Sequence, residues 1–235
     1  MHPLSYQLFI FSDEFSHLSV SDDEMLTFLK SFEHFLPQRN QGIEFEVKDN
    51  KVIQKSINSI DLYSIDNKWK IDFKPKQILL SYSHSYPKDL SSLSEFRDEA
   101  LNLIEKISEK ISFDKLTRLG FVSSSAEDES QNFITDNTGL VGEVELDEII
   151  EKSLRFTVRK KDSELNEPLN HVRSMTYSSD AKIETVESNV PSNFSGVHIL
   201  NDINTLSSNL SPRFGINDIK LFLNEVQTIL ECNHE

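Results

Sequence analysis

The spacing of apolar side chains predicts three amphipathic helices. The first follows a capping box of Ser21 and Glu24, stops at Pro37, and would bury Met25, Phe28, Leu29, Phe32, Phe35 and Leu36. The second starts with a capping box of Ser92 and Glu95 and would bury Leu93, Phe96, Ala100, Leu103, Ile104, Ile107 and Ile111. The third runs from a cap near Asn217 to Cys232 and would bury Ile219, Phe222, Leu223, Val226, Ile229 and Leu230.

Alternating apolar and polar residues predict strands between these helices. A short strand is expected at 4–11, and an antiparallel meander over 43–84 would turn at Asp49-Asn50 and at Asp66-Asn67. The segment KWKIDF would place three side chains on one face: Trp69, Ile71 and Phe73. Later strands are predicted at KLTRLGFVSS, LRFTVRKK, NHVRSMTYSS, KIETVES and GVHILND, with a hairpin around residues 162 to 168.

The order of these elements indicates the fold class. Helices are few and do not alternate regularly with strands, which is typical of α+β proteins with antiparallel sheet rather than of parallel βαβ arrays. We therefore expect an α+β fold with antiparallel sheets and three main helices, and the pattern permits two ferredoxin-like halves. Residues 1–125 would form the N-terminal half, 126–152 an acidic polar segment, and 153–235 the C-terminal strands and final helix, all within one compact unit.

The net charge of −15 is concentrated in one window. No Lys or Arg occurs between Arg118 and Lys152, and residues 127–151 contain nine acids: Glu127, Asp128, Glu129, Asp136, Glu143, Glu145, Asp147, Glu148 and Glu151. Subtracting these nine charges leaves −6 for the other 210 residues. This balance argues against direct nucleic-acid binding, which needs clusters of Lys and Arg. One local acidic patch favours a protein partner with a basic surface.

The remaining bulk features exclude several classes of protein. The single cysteine, Cys232, excludes a disulfide within the chain and a cysteine-based zinc site. The start of the chain, MHPLSYQLFIFSDEF, lacks a basic region and an apolar run of signal-peptide length. No stretch approaches the roughly 18 apolar residues that predict a spanning helix. No glycine-rich phosphate loop, HExxH or nucleophile elbow is found. We expect a cytoplasmic protein without membrane contact, metal or cofactor.

The stretch LLSYSHSY places serines beside a histidine within one predicted strand. One side of the strand carries Ser81, Ser83 and Ser85, and the other carries Leu80, Tyr82, His84 and Tyr86. Because neighbouring residues of a strand point to opposite faces, neither Ser83 nor Ser85 can use His84 as its base. We expect no nucleophile here. The side with Tyr82, His84 and Tyr86 is interpreted as an outer or partner-facing surface.

A second group of candidates lies on the predicted hairpin. Arg155 and Arg159 share one side of the strand LRFTVRKK, and His171 and Arg173 follow on the next strand. These residues could line a groove for an acidic ligand or for the protein's own acidic segment. Together with His84, the residues His171 and Arg173 also suggest a dispersed enzyme site, which stays open as an alternative.

The order of motifs over half of the chain resembles a known family. The block from Lys76 to Phe121 reads as an apolar strand, Tyr86-Pro87, a helix and LTRLGF, and VHILNDINTL with a final helix follows later. This order is similar to that of a sporadically distributed bacterial family of uncharacterised proteins of about this length. The resemblance implies an α+β fold and gives no reaction. Its patchy occurrence resembles that of defence and toxin–antitoxin genes.

One strand carries both the match to this family and a departure from it. The family pattern is an Arg-x-Gly-Leu-Arg-Tyr-Ile-Asn-like strand. Arg118, Gly120 and Phe121 match its start, whereas the chain continues with Val122, Ser123 and Ser124.

Together these features predict a non-enzymatic protein-binding factor of the bacterial defence, immunity or toxin–antitoxin type. Its partner-binding residues would be Glu127, Asp128, Glu129, Glu143, Glu145, Asp147, Glu148, Glu151, Tyr82, His84 and Tyr86. Two alternatives stay open, namely an acidic inhibitor that mimics nucleic acid and an enzyme with a dispersed His/Arg site.

Overall fold

The computed structural model describes residues 2–17, 30–48, 51–83, 91–127, 151–161, 163–183 and 192–231. These residues form nine strands, two long helices and a short 3-10 helix at Asp13–His17. The strands are β1 His2–Phe11, β2 Phe35–Lys48, β3 Lys51–Ser64, β4 Trp69–Lys74, β5 Gln77–Ser83, β6 Arg118–Glu127, β7 Glu151–Lys160, β8 Leu169–Ile183 and β9 Ser192–Thr205. The helices are α1 Leu93–Ser108 and α2 Ile216–Glu231.

All nine strands join one antiparallel sheet with the order β2-β3-β4-β5-β1-β6-β9-β8-β7. The two central strands, β1 and β6, pair with each other. On one side of this pair, the meander β2 to β5 returns to lie beside β1, and helix α1 follows. On the other side, β7 to β9 return to lie beside β6, and helix α2 follows. The two halves therefore have similar connectivity around the central pair, with four described strands between β1 and α1 and three between β6 and α2.

The hydrophobic core lies between one face of the sheet and the two helices. The strands contribute alternate residues that include Leu8, Ile10, Ile71, Leu80 and Phe121. Helix α1 contributes Phe96, Ala100, Leu103, Ile104 and Ile107, and helix α2 contributes Ile219, Phe222, Leu223 and Val226. Both predicted helix stripes are confirmed at these positions. Burial of such apolar area is the main favourable term in folding.

Local signals in the sequence set several element ends as predicted. The capping box of α1 is complete, since Glu95 N–H donates to Ser92 Oγ at 3.3 Å and Ser92 N–H donates to Glu95 Oε2 at 2.7 Å. The turn between β3 and β4 uses Asn67 at φ 57°, and the β7–β8 hairpin uses Asn166 at φ 53°. Asn tolerates this left-handed conformation better than most residues, which suits a chain with only six glycines.

The predicted fold class is wrong in its number of main helices and in its division into two ferredoxin-like halves. The described residues contain two long helices rather than three main ones, and the sheet is continuous rather than divided into ferredoxin-like units. Lys30 and Ser31 are helical, but Leu36 and Pro37 belong to strand β2 instead of a helix end. Strand β2 is at the edge of the sheet, where a proline removes no ladder hydrogen bond if its nitrogen faces outward. The rest of the predicted first helix lies outside the described residues.

Candidate binding site between the two helices

One register row crosses seven strands on the face covered by the helices. In sheet order, from β4 through β5, β1, β6, β9 and β8 to β7, the successive cross-strand neighbours are Trp69, Tyr82, Tyr6, Ser123, Asn201, Arg173 and Phe156. The row is aromatic in the N-terminal half of the sheet and becomes polar at β6. This change of chemistry within one row marks the candidate site.

The aromatic part of the row packs against α1. Phe96 stacks on Trp69, with ring centroids 5.3 Å apart and planes inclined by 9°. Phe96 also contacts Tyr6, at a centroid distance of 5.2 Å, and Tyr82, at 6.4 Å. Aromatic pairs at these separations add to the free energy gained by burial. This half of the row therefore serves the core.

The polar part of the row contains a short chain of hydrogen bonds. Asn201 Oδ1 lies 3.0 Å from His171 Nε2, and Asn201 Nδ2 donates to Ser123 Oγ at 3.3 Å. Because an amide oxygen only accepts, the nitrogen Nε2 of His171 must carry the proton. Ser123 Oγ is an acceptor in this chain, so its own hydroxyl proton is free to donate to a further group.

Arg173 lies beside Asn201 in the same row. Its Nε atom is buried and has no hydrogen-bond partner among the residues that the structure describes. A buried N–H without a partner costs roughly 1–3 kcal/mol, and more when the group is charged. Arg173 also lines the cavity described next, so a ligand there would meet the side chain through atoms other than this buried Nε.

Ser123, Asn201 and Arg173 border a cavity of about 200 Å³ between the ends of the two helices. Ser123, Ser125 and Asn201 lie on its buried floor. Its walls are mainly apolar and include Leu93 of α1, Ile199 of β9 and Leu230 of α2. The exposed residues Ser92, at the start of α1, and Glu231, at the end of α2, also line it and mark its solvent side.

Two titratable groups have shifted pKa values, namely His171 beside Asn201 and Tyr6 in the cavity lining. Burial lowers the pKa of His171, the hydrogen bond with Asn201 acts in the opposite direction, and the charge of Arg173 lowers the pKa further. Burial, and then the neighbouring Tyr82, raise the pKa of Tyr6 to about 12. Tyr6 lines the cavity, and because its pKa is raised it keeps its phenolic proton. Tyr6 and Ser123 therefore each keep a hydroxyl proton that can be donated at the cavity.

The arrangement does not form a nucleophile with a base. Asn201 separates Ser123 from His171, and a carboxamide does not take up a proton and pass it on as a general base must. Within the described ranges, no group of three or more His, Cys, Asp or Glu residues is arranged to hold a metal ion. The hydroxyl donors at the cavity, Tyr6 and Ser123, suit a ligand that accepts hydrogen bonds.

Of the three predicted partner-binding residues Tyr82, His84 and Tyr86, the structure describes only Tyr82. Tyr82 is buried, packs against Trp69 at a centroid distance of 4.8 Å, and has its hydroxyl 3.0 Å from Ser91 Oγ. The interpretation of its side of the strand as an outer surface is therefore wrong for Tyr82, because that side faces α1. His84 and Tyr86 lie outside the described residues.

The acidic segment is described only at its two ends. Glu127 is exposed and ends β6, and Glu151 begins β7. The other acids predicted to bind a partner lie outside the described residues: Asp128, Glu129, Glu143, Glu145, Asp147 and Glu148. Their role stays a prediction.

The sheet separates the cations and histidines that the sequence suggested as one site. His171 and Arg173 share the face covered by the helices, as strand alternation requires. Arg155 and Arg159 point to the other face, because they alternate with Phe156, the neighbour of Arg173. His198 also lies on that other face, with Nε2 2.7 Å from Ser124 Oγ. The cations of the hairpin therefore do not line one groove.

Sequence reasoning named two members of the site and missed the others. Ser123 and Asn201 were not singled out as binding residues, although Ser123 was noted as a departure from the family pattern. A signal did exist in β6, where one face of the strand changes from apolar to polar along the series Leu119, Phe121, Ser123 and Ser125. A polar residue that continues a buried face points to a hydrogen-bonded site.

Comparison with known proteins identifies no relative. No family model, no curated protein and no solved structure matches this chain. In the parts of the chain that the structure describes, neither helix has the length and apolar character needed to cross a membrane. The resemblance to the bacterial family therefore stays a prediction, and the site itself is the basis for any functional conclusion.

Proposed function

We propose that this protein is a non-enzymatic binding protein that holds a small molecule by a carboxylate in the cavity between α1 and α2. The observation that carries the proposal is the position of Arg173, a cation that lines this cavity beside Ser123 and Asn201. A guanidinium offers several N–H groups in a plane and matches a carboxylate in two-point geometry.

The neighbouring groups support an anion rather than a cation or a neutral amide. Ser123 has a free hydroxyl proton because its oxygen already accepts from Asn201. Tyr6 remains protonated, and the first N–H groups of α1, at Leu93 and Ser94, lie along the cavity at the positive end of that helix. All of these groups donate, and a carboxylate only accepts.

The size and walls of the cavity restrict the rest of the ligand. A volume of about 200 Å³ is smaller than the ~300–1,000 Å³ typical of pockets for drug-sized molecules. The apolar side chains of Leu93, Ile199 and Leu230 would contact a short hydrocarbon group. We therefore propose a small carboxylic acid with a branched or short aliphatic chain as the ligand class.

The test is calorimetric titration of the full chain with 4-methylpentanoate and with 4-methylpentanamide, its neutral analogue. We expect the acid to bind and the amide to bind more weakly. Arg173→Met should reduce the affinity for the acid roughly 10- to 100-fold, as expected for loss of a hydrogen bond to a charged group. Arg173→Lys should lose less affinity for the acid, because lysine keeps the positive charge.

The matched control is Arg155→Met, which removes a cation from the opposite face of the adjacent strand. It should leave the affinity unchanged. Circular dichroism and thermal denaturation should show that each variant is folded. Equal affinity for the acid and the amide, or equal losses at Arg155 and Arg173, would contradict the proposal.

A further inference from the structure

Two helix ends of opposite electrostatic character line the cavity. The first turn of α1, at Leu93 and Ser94, lies along it, and so does the last turn of α2, at Leu230 and Glu231. A helix has a partial positive charge at its N-terminus and a partial negative charge at its C-terminus. The cavity is therefore lined by Arg173 and a positive helix end, and also by a negative helix end with Glu231.

No described basic side chain in the last turn of α2 offsets the partial negative charge at the end of that helix. Helix α2 has no Lys or Arg there, whereas the first turn of α1 contains Glu95. The last carbonyl groups of a helix lack partners within the helix, so they add to the carboxylate of Glu231. A cation placed at this end would be favoured by both.

A chain of side chains holds Glu231 in place at the cavity. Arg97 Nη1 donates to Gln227 Oε1 at 2.7 Å, which fixes the orientation of the amide. Gln227 Nε2 then donates to Glu231 Oε1 at 2.7 Å. This chain joins α1 to α2 beside the cavity and leaves Glu231 Oε2 without a hydrogen bond to a described residue. That oxygen is a ready acceptor for a ligand group.

We infer that the ligand is a zwitterion, an aliphatic α-amino acid whose carboxylate meets Arg173 and Ser123 and whose ammonium group lies toward Glu231. This inference rests on the proposed function and adds the second charge. An ammonium group carries three donors and no acceptor, which suits a carboxylate and helix carbonyls. The apolar walls would contact the aliphatic side chain.

The experiment compares leucine with 4-methylpentanoate, which has the same carbon skeleton without the amino group. Titration of the full chain should show that leucine binds about 3- to 10-fold more tightly, a modest factor because Glu231 is exposed to solvent. Glu231→Gln should remove this preference and leave the affinity for 4-methylpentanoate unchanged or slightly higher. Glu105→Gln, which neutralises an exposed acid in the interior of α1, is the matched control and should keep the preference.

The outcomes separate this inference from the proposed function. If 4-methylpentanoate binds through Arg173 but leucine binds no better, or if Glu231→Gln leaves the preference intact, the zwitterion is wrong and the carboxylate site stands. If neither compound binds, or if binding does not depend on Arg173, the proposed function itself fails. Tighter leucine binding that is lost only in Glu231→Gln supports both.

Discussion

Gly120 on β6 lies directly opposite Asn204 on β9, and a Cβ atom added to Gly120 would come within 2.7 Å of Asn204 Oδ1. The amide of Asn204 cannot easily move away, because Oδ1 accepts from Arg118 Nη2 at 2.8 Å and Nδ2 donates to Asp202. The glycine is therefore required by side-chain packing across the ladder.

Gly120→Ala should lower the free energy of unfolding by about 1–3 kcal/mol, the range for overpacking a filled position. Urea denaturation followed by circular dichroism would measure it. The control is a double-mutant cycle with Asn204→Ala, because removal of the amide frees the space that the new methyl group needs. The same loss in both backgrounds would contradict the steric explanation.

Arg213 should be the most sensitive single position outside the core. It contacts Glu167 with Nε and Nη2, and it donates to the backbone oxygens of Thr117, Asn209 and Leu206. Arg213→Met should cost about 3–5 kcal/mol, because Glu167 would remain buried and unpaired. Lys115→Met is the control, since its ion pair with Glu14 is exposed and should contribute far less to stability. Comparable losses in urea denaturation would refute the distinction.

Two aspartates oppose each other on β3 and β4 and depend on one lysine. Asp61 and Asp72 are cross-strand neighbours, and Lys70 Nζ lies 3.1 Å and 2.6 Å from their carboxylates. Lys70→Met would leave two buried carboxylates side by side. We expect a loss of about 1–3 kcal/mol at pH 7, below the value for a fully buried pair because Lys70 is partly exposed.

This loss should shrink in acid. Burial raises the pKa of Asp61 above its usual value, more than the hydrogen bond from Lys70 lowers it. The folded state therefore takes up the proton more readily than the unfolded chain, and without Lys70 that uptake relieves the repulsion. Urea midpoints of Lys70→Met and of the unmodified chain at pH 7 and pH 4.5 would measure it. A difference that stays constant with pH would rule out the explanation.

His171 should make stability fall as the solution becomes acidic. Burial lowers its pKa below the ordinary 6.5. Below pH 6.5 the unfolded chain therefore binds a proton that the folded chain does not, so the free energy of unfolding decreases as pH falls toward the folded-state pKa. His171→Gln should flatten this part of the pH profile, measured by thermal denaturation between pH 7.5 and 5.5. His34→Gln, at an exposed position, is the control and should leave the slope unchanged; equal flattening in both variants would refute the assignment.

The elements that the sequence predicted well depend on nearby residues. The α1 cap needs only Ser92 and Glu95, and the β3–β4 turn needs Asn67. The start of β2 was missed because Phe35 and Leu36 fit a helical stripe, and pairing with β3 outweighs that local pattern. Propensity yields to tertiary pairing where the two disagree.

The candidate site could be predicted only in part for a similar reason. Strand alternation places His171 and Arg173 on one face, and that much was accessible from the sequence. The meeting of Ser123, Asn201 and Arg173 depends on the register of three strands, β6, β9 and β8, of which β6 is far from the others in the chain. No local pattern encodes that register, so the cavity emerges only from the sheet.

The central position of β1 has a consequence for how this chain folds during synthesis. β1 precedes both of its neighbours in the chain, β5 at Gln77–Ser83 and β6 at Arg118–Glu127, so it leaves the ribosome before either of them. Until then the nascent chain must carry Leu8 and Ile10 without their partners. Pairing between such distant segments slows folding. β1 can therefore take its place only after β5 and β6 have been made, and deleting it would remove the strand that joins them in the middle of the sheet.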